Sequence, residues 1–462
     1  MEALRKEKTN LENAASKLLS FAMKAGAEAA EVCGTYTQGT RISLEKQDFH
    51  LASSGQGYEL GLRILLHSKQ GFSSCNSTEA KELKAIALRA VEIAGFSPPN
   101  PYYAICASDN VPTEAPSDLW DEGLHQVSLR TQKEWTRLMV AEATKDPRFR
   151  LNEGSVSIQS RLYLVMNSKA THKIEKETVA EWNLMGMAVE NENITSFDYF
   201  SELSRKAPAI PEGVISSTRK FCQQVIRNLK NGPAKSSRGI VVFSPRAVVD
   251  IFLAALSYQL NGRTLVEKTG RWDRGHIGSQ VLSEKITLRD MPWLIDRTGA
   301  CIFDREGTPT KNVTVIEKGR LKEFLLDQYA AKALDLCSTG NASGSPSVVP
   351  SVAPHVLCLE GGEDPVDSVF KTATSAQKEF LLVRRFSGQV DPVTGDFSGV
   401  AKGSEWWHAG ECCYFVRETL ISGNVLDCMG SNIVAVSRET ETVDSSEQAP
   451  TIATENVSVT IA

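Results

Sequence analysis

The sequence predicts an α+β protein of two large domains rather than a doubly wound parallel sheet, because strands and helices do not alternate regularly along it. Apolar residues recur at helical spacing near the start, alternate with period two at 58–66, and form hairpin-like runs in the second half. We therefore expect an N-terminal domain of sheet-and-helix layers and a C-terminal, hairpin-rich antiparallel β domain with helices. The 462 residues suit two or three domains of about 150 residues each.

Two lobes are predicted in the N-terminal domain, residues 1–235, at about 1–97 and 118–232. The proline-rich segment 97–118 separates the lobes because proline continues neither a helix interior nor a strand ladder. The C-terminal domain is then residues 236–462, which follow a polar stretch typical of a domain boundary.

Apolar spacing predicts the elements of the first lobe. A helix at 10–25 presents one apolar face and is capped by Asn10. Alternation at 58–66 predicts a strand with one buried face. A second helix is expected at 78–94, with a capping pair that begins at Asn76.

The second lobe combines helices with strand-forming sequence. A helix is predicted at 128–144, and residues 150–201 are rich in strand formers. Within that run, 171–189 suits an antiparallel meander. A helix at 214–229 closes the lobe.

The C-terminal domain begins with a short buried strand at 240–243. A helix follows from Pro245, which suits a first turn, to about Leu260. Hairpins are expected thereafter, since short strand-forming runs flank Gly-containing turns. The expected pairs are 313–316 with 321–325 and 379–386 with 396–402, and a further strand at 412–419 follows the turn at 408–410.

Composition limits the classes of function. The net charge is −5 and no run of Lys and Arg forms a basic stripe, which argues against direct binding of nucleic acid. The charged start shows no signal peptide, and no apolar segment is long enough to cross a membrane. The ten cysteines contain no CxxC pair, as is typical of reduced cytosolic thiols. We expect a soluble cytoplasmic protein that does not bind membranes.

Standard catalytic signatures are missing from the sequence. It contains no Walker A loop, no G-x-S-x-G elbow, no H-E-x-x-H zinc motif and no calcium-binding loop of the EF-hand type. The seven histidines never occur three or four residues apart, the spacing that places two zinc ligands on one helix face. The histidines are therefore interpreted as surface or hydrogen-bonded residues.

Four polar, glycine- or asparagine-containing segments in the second half are the candidates for a site. Taken singly, each is typical of a turn, because Asn and Asp tolerate left-handed backbone and Gly adopts it freely. The segments are 303–309, 338–342, 391–398 and 421–424. The residues that we expect to line a peptide-binding cleft are Asp304, Thr339, Gly340, Asn341, Asp391, Gly395, Asp396 and Ser398.

In this order the segments resemble the C-terminal half of the TldD/PmbA family, the modulators of DNA gyrase. The family pattern includes an F-S-P start, D-x-E-G-x-P-T, G-x-L-x-x-x-L, T-G-N, G-D-F-S with A-x-G, and I-S-G-N. The matching residues are 243–245, 304–310, 319–325, 339–341, 395–398 with 401–403, and 421–424. The match runs from about Ile240 to the C-terminus, whereas the N-terminal half agrees only in its layout.

The resemblance implies a zinc site in one branch of the family. In the TldD branch, the helix after the S-P segment carries His-Glu-x-x-x-His, and a cysteine near the C-terminus is expected to help hold the metal. Alignment on Leu260-Asn261-Gly262 places Leu253 and Tyr258 at the positions of the two histidines. It places Ala254 at the position of the glutamate. Leucine has no donor atom and alanine accepts no proton from bound water, and no cysteine follows Cys428.

This pattern is similar to the PmbA, or TldE, branch. The resemblance implies a non-catalytic subunit that has no cofactor of its own and pairs with a TldD-like metallopeptidase, where the zinc is expected. It also implies that the pair cleaves small or unfolded peptides. Whether the chain has activity alone, and whether it forms a homodimer in isolation, are left open.

Two other hypotheses remain from the residues themselves. A stand-alone hydrolase could use converging carboxylates or a cysteine nucleophile. Its candidate groups are Asp304, Asp327, Asp391, Asp396, His276 and Cys412. A peptide-binding homodimer could instead take an extended peptide by strand addition, in a cleft lined by the turns at 339–341 and 395–398.

Overall fold

The computed structural model describes residues 2–107, 109–416 and 418–461. The first half is built on a seven-stranded sheet and the second half on a fourteen-stranded sheet, with helices packed on both. The predicted α+β fold class is confirmed. Among the described residues, no helix has both the length and the apolar character needed to cross a membrane.

The seven-stranded sheet is antiparallel throughout. Its strands are β1 (Ala29–Glu45), β2 (Asp48–Leu66), β3 (Lys69–Cys75), β4 (Phe149–Asn167), β5 (His172–Glu190), β6 (Asn193–Ile194) and β7 (Asp198–Ser204). The order is β3-β2-β1-β4-β5, and β6 and β7 both pair with β5. The strand predicted at 58–66 is confirmed as the end of β2. The run at 171–189 is one long strand rather than a meander, because β4 pairs with it along almost its whole length.

The helices of the first half cover one face of this sheet. They are α1 (Glu2–Lys24), α2 (Ala80–Phe96), α3 (Glu122–His125), α4 (Leu129–Ala143) and α5 (Ile210–Arg227). After the bulge between Leu151 and Glu153, even-numbered residues of β4 point toward them, as strand alternation requires. Leu162 and Leu164 pack in the core under α1 and α2, while Val156 and Ile158 pack in the core under α4 and α5.

Two helix starts differ from the sequence predictions. Helix α1 begins at Glu2 rather than at Asn10, because the intervening charged residues are good helix formers. The α2 helix is preceded by Glu79, whose N–H donates to Ser77 Oγ at 3.1 Å, so the capping pair predicted to begin at Asn76 does not form. Both helices still present the predicted apolar faces to the sheet.

The second face of the seven-stranded sheet packs against the C-terminal half of the chain. Cys33 of β1 and Val165 of β4 form a small core with Phe303. Arg63 of β2 lies on this face and is 1% exposed. The prediction that 58–66 has one buried face was therefore incomplete, since both faces of this strand segment are covered.

The fourteen-stranded sheet is mostly antiparallel. Its strands are β8 (Asn231–Gly232), β9 (Ser237–Phe243), β10 (Leu288–Asp290), β11 (Val313–Glu317), β12 (Arg320–Leu321), β15 (Leu357–Leu359), β16 (Glu379–Val383), β17 (Arg385–Val390), β18 (Asp396–Lys402), β19 (Glu405–His408), β20 (Glu411–Val416), β21 (Thr419–Asn424), β22 (Ile433–Val443) and β23 (Glu447–Thr460). A separate pair joins β13 (Ala342–Ser343) and β14 (Ser351–Val352). Three pairings are parallel: β9 with β16, β15 with β23, and β8 with β20.

The hairpin predicted at 313–316 and 321–325 forms as β11–β12, and the strand predicted after the turn at 408–410 forms in the β19–β20 hairpin. The pairing predicted between 379–386 and 396–402 is mostly wrong: only Arg385 and Phe386 pair with β18, as the start of β17. Residues 379–383 form β16, which pairs with β19 and β9 instead. The helices that pack on this sheet are α6 (Pro245–Val248), α7 (Ala254–Gln259), α8 (Gly262–Glu267), α9 (Gln328–Leu334), α10 (Val366–Ala376) and α11 (Val425–Met429). The division of the chain at residue 235 stays a prediction, and β8 just before it pairs with the second sheet.

Candidate functional site

The helix after the F-S-P segment is fixed at its start by Ser244. The Ser244 hydroxyl donates to the Arg384 carbonyl at 2.7 Å and accepts from the Ala247 N–H at 3.4 Å. Pro245 occupies the first turn, where no N–H is needed. Helices α6 and α7 are joined without a break by a π-helical turn, Val249–Leu253, a feature that is frequent at functional sites.

The three positions aligned with the zinc motif lie at the end of this π turn and in α7. Leu253 is 2% exposed and packs in the largest apolar core. Ala254 is exposed. The Tyr258 hydroxyl donates to Thr269 Oγ1 at 2.9 Å. Zinc in proteins is bound by nitrogen, sulfur or carboxylate oxygen, so these residues do not fit a zinc site.

A substitute ligand set would have to come from the rest of the described chain. Within residues 2–107, 109–416 and 418–461, no group of three or more His, Cys, Asp or Glu side chains is arranged to hold a metal ion. Cys428 in α11 is buried, and burial raises the pKa of its thiol to about 12.

Gln259, the last residue of α7, is a polar residue that the sequence analysis missed. Its Nε2 donates to the carbonyls of Pro392 at 2.6 Å and Val393 at 3.2 Å. Its Oε1 accepts the N–H of Arg271 at 2.7 Å. The end of the helix at 245–259 is thereby hydrogen-bonded to the predicted turn at 391–398. Nothing in the sequence signals this contact, because a glutamine at a helix end is usually exposed.

The turn at 391–398 owes its shape to its own side chains. Asp391 Oδ1 accepts two backbone N–H groups of the turn, at 2.8 and 3.1 Å, and Gly395 adopts φ +82°. Asn424 Nδ2 donates to Asp396 Oδ1 at 2.8 Å, and this bond holds the pKa of Asp396 below its usual range. Ser398 is exposed on β18. Asp391 and Asp396 are also exposed, so this turn is a solvent-facing surface.

Asp304 has the opposite environment. Its Oδ1 accepts the N–H groups of Glu306 at 2.9 Å and Thr308 at 2.8 Å, and its Oδ2 accepts that of Ala342 at 3.0 Å. The residue is 2% exposed, and burial raises the pKa of its carboxyl well above the ordinary value. Its contacts organise the backbone of the D-x-E-G-x-P-T segment.

The T-G-N turn is buried beside it. Thr339 Oγ1 donates to Asn341 Oδ1 at 2.7 Å, and Asn341 Nδ2 donates to Asp290 Oδ2 at 2.6 Å. His355 Nε2 donates to the Gly340 carbonyl at 2.7 Å. The side chains of Thr339 and Asn341 thus both have partners inside the protein.

The predicted cleft residues therefore fall into two clusters. Asp304 and the 339–341 turn lie together through the N–H of Ala342. Among the residues that the structure describes, no hydrogen bond joins this cluster to the 391–398 turn. Asn341 is 1% exposed, whereas Asp304, although buried, lines an opening that it shares with Arg161 and Glu175. A cleft role for either cluster stays a prediction.

The remaining candidates for a stand-alone hydrolase have separate structural partners. Asp327 is fully buried, bonds Arg263 at 2.6 Å and caps α9. His276 pairs with Asp273 at 2.7 Å on the surface. Burial raises the pKa of Cys412 to about 11, which disfavours the thiolate that a nucleophile requires.

A buried ion network joins the two halves next to Asp304. Arg63 Nη2 lies 3.0 Å from Glu31 Oε2 and 2.7 Å from Glu306 Oε1, and Arg305 lies 3.5 Å from Glu31. Each of the four is at most 3% exposed. Burial raises the pKa of Glu306 to about 7 although Arg63 opposes the shift. One feature of the sequence weakly indicates this network: Arg63 is a charged residue within the otherwise apolar end of β2.

Comparisons with known proteins agree with this architecture. The family model of the PmbA/TldA metallopeptidase C-terminal domain matches residues 236–461, and that of domain 1 matches residues 30–94. The Metalloprotease PmbA homolog of Haemophilus influenzae is 25% identical over 443 residues, which are 95% of this chain and 93% of that protein. Metalloprotease PmbA of Escherichia coli is 24% identical over 94% of this chain and 92% of its own length.

Solved structures show the same fold. TldE from Thermococcus kodakarensis superposes with a TM-score of 0.85 at 22% identity, covering 97% of this chain and 100% of that one. A proposed modulator of a DNA gyrase from Thermotoga maritima gives a TM-score of 0.82 at 20% identity, covering 97% of this chain and 99% of that one. With both domain models matched along the sequence, the chain belongs to the TldD/PmbA family of metallopeptidase-like proteins.

Proposed function

We propose that this chain is a non-catalytic subunit that pairs with a TldD-like zinc peptidase chain. The observation that carries the proposal is the helix at 245–259, where the motif positions hold Leu253, Ala254 and Tyr258. Two of these side chains have no donor atom, and the third donates its hydroxyl to Thr269. A chain built this way supplies neither the metal ligands nor the general base of a zinc peptidase.

Family membership supports the peptidase context. The relatives from Haemophilus influenzae and Escherichia coli are called metalloproteases. If the pair cleaves peptides, the zinc and the proton-accepting glutamate belong to the partner. This chain then contributes surface and shape, and we expect the substrates of the pair to be small or unfolded peptides in the cytoplasm. The net charge of −5 supports a role without direct contact to nucleic acid.

Reconstitution with a TldD-like chain that carries His-Glu-x-x-x-His tests the proposal. We expect the two chains to copurify and to cleave an unfolded peptide together, while this chain alone leaves the peptide intact. Changing the motif glutamate of the partner to Gln should abolish cleavage. Tyr258→Phe in this chain should not change the rate of cleavage by the pair, because the variant loses only the bond to Thr269.

Three outcomes count against the proposal. Cleavage by this chain alone would favour the stand-alone hydrolase. Peptide capture without any association with a TldD-like chain would favour the peptide-binding homodimer. Cleavage that survives loss of the partner's glutamate but fails in Tyr258→Phe would move the catalytic chemistry to this chain.

A further inference from the structure

A cavity of about 190 Å³ lies between the two halves of the chain. It does not include the helix at 245–259 that carries the positions aligned with the zinc motif. Strands β4 and β5 form one wall, and the segments 298–305 and 342–344 form the other. Arg161, 46% exposed in its side chain, marks the solvent side of the cavity. The space has room for one side chain or a similarly small ligand.

Glu175 of β5 is the unusual residue of this cavity. It lies directly opposite Tyr163 of β4 in the antiparallel register, so both side chains are on the sheet face that lines the cavity. The Glu175 Oε1 atom is buried and has no hydrogen-bond partner among the residues that the structure describes. Buried carboxylate oxygens are ordinarily paired, so an unpaired one indicates a missing partner.

The nearby arginines do not supply that partner, because they bind another carboxylate. Arg161 lies 2.5 Å and Arg205 lies 3.0 Å from the oxygens of Glu177. Arg205 also donates to the backbone carbonyls of Ile295 and Thr178. The other carboxylate that lines the cavity, Asp304, accepts three backbone N–H groups. Burial raises the pKa of Glu175, and the backbone N–H of Ile302 interacts with its carboxyl and lowers that pKa in part, while Oε1 keeps an unused acceptor.

The opposite wall makes the cavity favourable for positive charge. Cys301 lies there with its Sγ 3.3 Å from His355 Nδ1, and the other ring nitrogen donates to the Gly340 carbonyl. That arrangement leaves Nδ1 to accept from the thiol. Burial first, and then carboxylates including Glu175 and Asp290, raise the pKa of Cys301 well above its ordinary value. Arg305 on the same wall pairs with Glu31 of β1, so the carboxylates of Glu175 and Asp304 are left to disfavour a second anion and favour a cation.

We propose that this cavity binds an alkylammonium group, as carried by a lysine side chain or a peptide amino terminus, and that Glu175 is its acceptor. An ammonium group supplies the hydrogen-bond donor that Oε1 lacks and the charge that the surrounding carboxylates favour. The assignment goes beyond the proposed function, because it gives this chain a ligand of its own whether or not it pairs with a peptidase.

Calorimetric titration of the full-length chain tests the assignment. The probes are N-acetyl-lysine methylamide and N-acetyl-norleucine methylamide, which differ only in the ammonium group. We expect the lysine compound to bind at least about tenfold more tightly, the size of one charge-assisted hydrogen bond. Alanine methylamide against N-acetyl-alanine methylamide tells whether an amino terminus is accepted as well as a side chain.

Two variants locate the effect. At pH 8.5, above the raised pKa of Glu175, Glu175→Gln keeps the shape and removes the charge, and it should reduce the lysine preference to within about twofold. Glu181→Gln, on the same strand but outside the cavity, should leave the preference unchanged. Equal affinity of the native chain for both probes overturns the proposal without any variant. An undiminished preference in a folded Glu175→Gln protein overturns the role of that residue.

Discussion

At the residue scale, burial decides what each polar turn residue does. Asp304 and Asn341 are almost fully buried and bond the surrounding backbone. Asp391 and Asp396, from a segment of similar amino-acid composition, are exposed. Turn-forming residues look alike in sequence, because their local hydrogen bonding does not depend on what later covers the turn. Burial by a distant part of the chain separates the two cases.

Removal of Arg63 tests the ion network at this scale. Arg63→Met leaves the carboxylates of Glu31 and Glu306 buried without their shared cation. We expect the free energy of unfolding to fall by about 3–5 kcal/mol. Arg41→Met, an exposed arginine on β1, should change it by less than about 0.5 kcal/mol. Urea denaturation of both variants checks this, and equal stabilities would contradict a structural role for the network.

Glu175 should give stability a distinctive pH dependence. Burial raises the pKa of Glu175 to about 8, whereas in the unfolded chain it is near about 4.3. Between these values the folded state holds a proton that the unfolded state has lost. The contribution of Glu175 to the free energy of unfolding is therefore full below the unfolded pKa of about 4.3. It is lost as the pH rises toward the folded pKa of about 8.

The comparison with Glu175→Gln isolates this effect. The free energy of unfolding of the native chain relative to the variant should fall between pH 5 and pH 8.5 by about 4 kcal/mol. Urea unfolding at both pH values measures it. A difference between the two proteins that does not change with pH would mean that Glu175 titrates normally.

At the element scale, periodicity predicted helices well and their ends poorly. The buried face expected for the helix that begins at Pro245 is confirmed, since Val248, Phe252, Leu253 and Leu256 are all buried. The π turn at 249–253 was not predictable, because the same apolar residues suit an uninterrupted α-helix. Long strands were underestimated for a related reason: their length is set by pairing partners far away in sequence.

Two neighbouring substitutions test the environment of the degenerate motif. Leu253→Ala should lower the free energy of unfolding by about 2–5 kcal/mol, because it opens a cavity in the largest core. Ala254→Glu should change it by less than about 0.5 kcal/mol, since that position is exposed. Chemical denaturation distinguishes them. Similar losses for both variants would show that this helix is packed differently.

At the scale of the whole molecule, the sequence predicted two α+β halves but not how they join. The contacts that fix the join connect residues such as Glu31 and Arg305, which no local pattern relates. The same join creates the cavity that contains Glu175 and Cys301. Family resemblance located the motif segments of the second half. Their partners on β1, β2 and β5 could be identified only from the folded structure.

Gly61 is a direct probe of how closely the halves approach. A Cβ atom added there would lie 1.7 Å from the carbonyl oxygen of Pro346, so the two halves would have to move apart. We expect Gly61→Ala to cost about 1–3 kcal/mol of unfolding free energy. The matched control is Gly55→Ala on the same strand, where an added Cβ meets nothing within 4 Å. If both variants unfold at the same denaturant concentration, the close contact does not exist in solution.

Zinc stoichiometry separates a non-catalytic member of a peptidase pair from a chain that is itself a zinc enzyme. The full-length chain would be incubated with excess zinc, freed of unbound metal by gel filtration, and analysed by elemental spectrometry beside a TldD-like chain treated identically. We expect substoichiometric zinc in this chain and one equivalent in the TldD-like chain. One tightly held zinc per copy of this chain, together with peptide cleavage in the absence of a partner, would contradict the account.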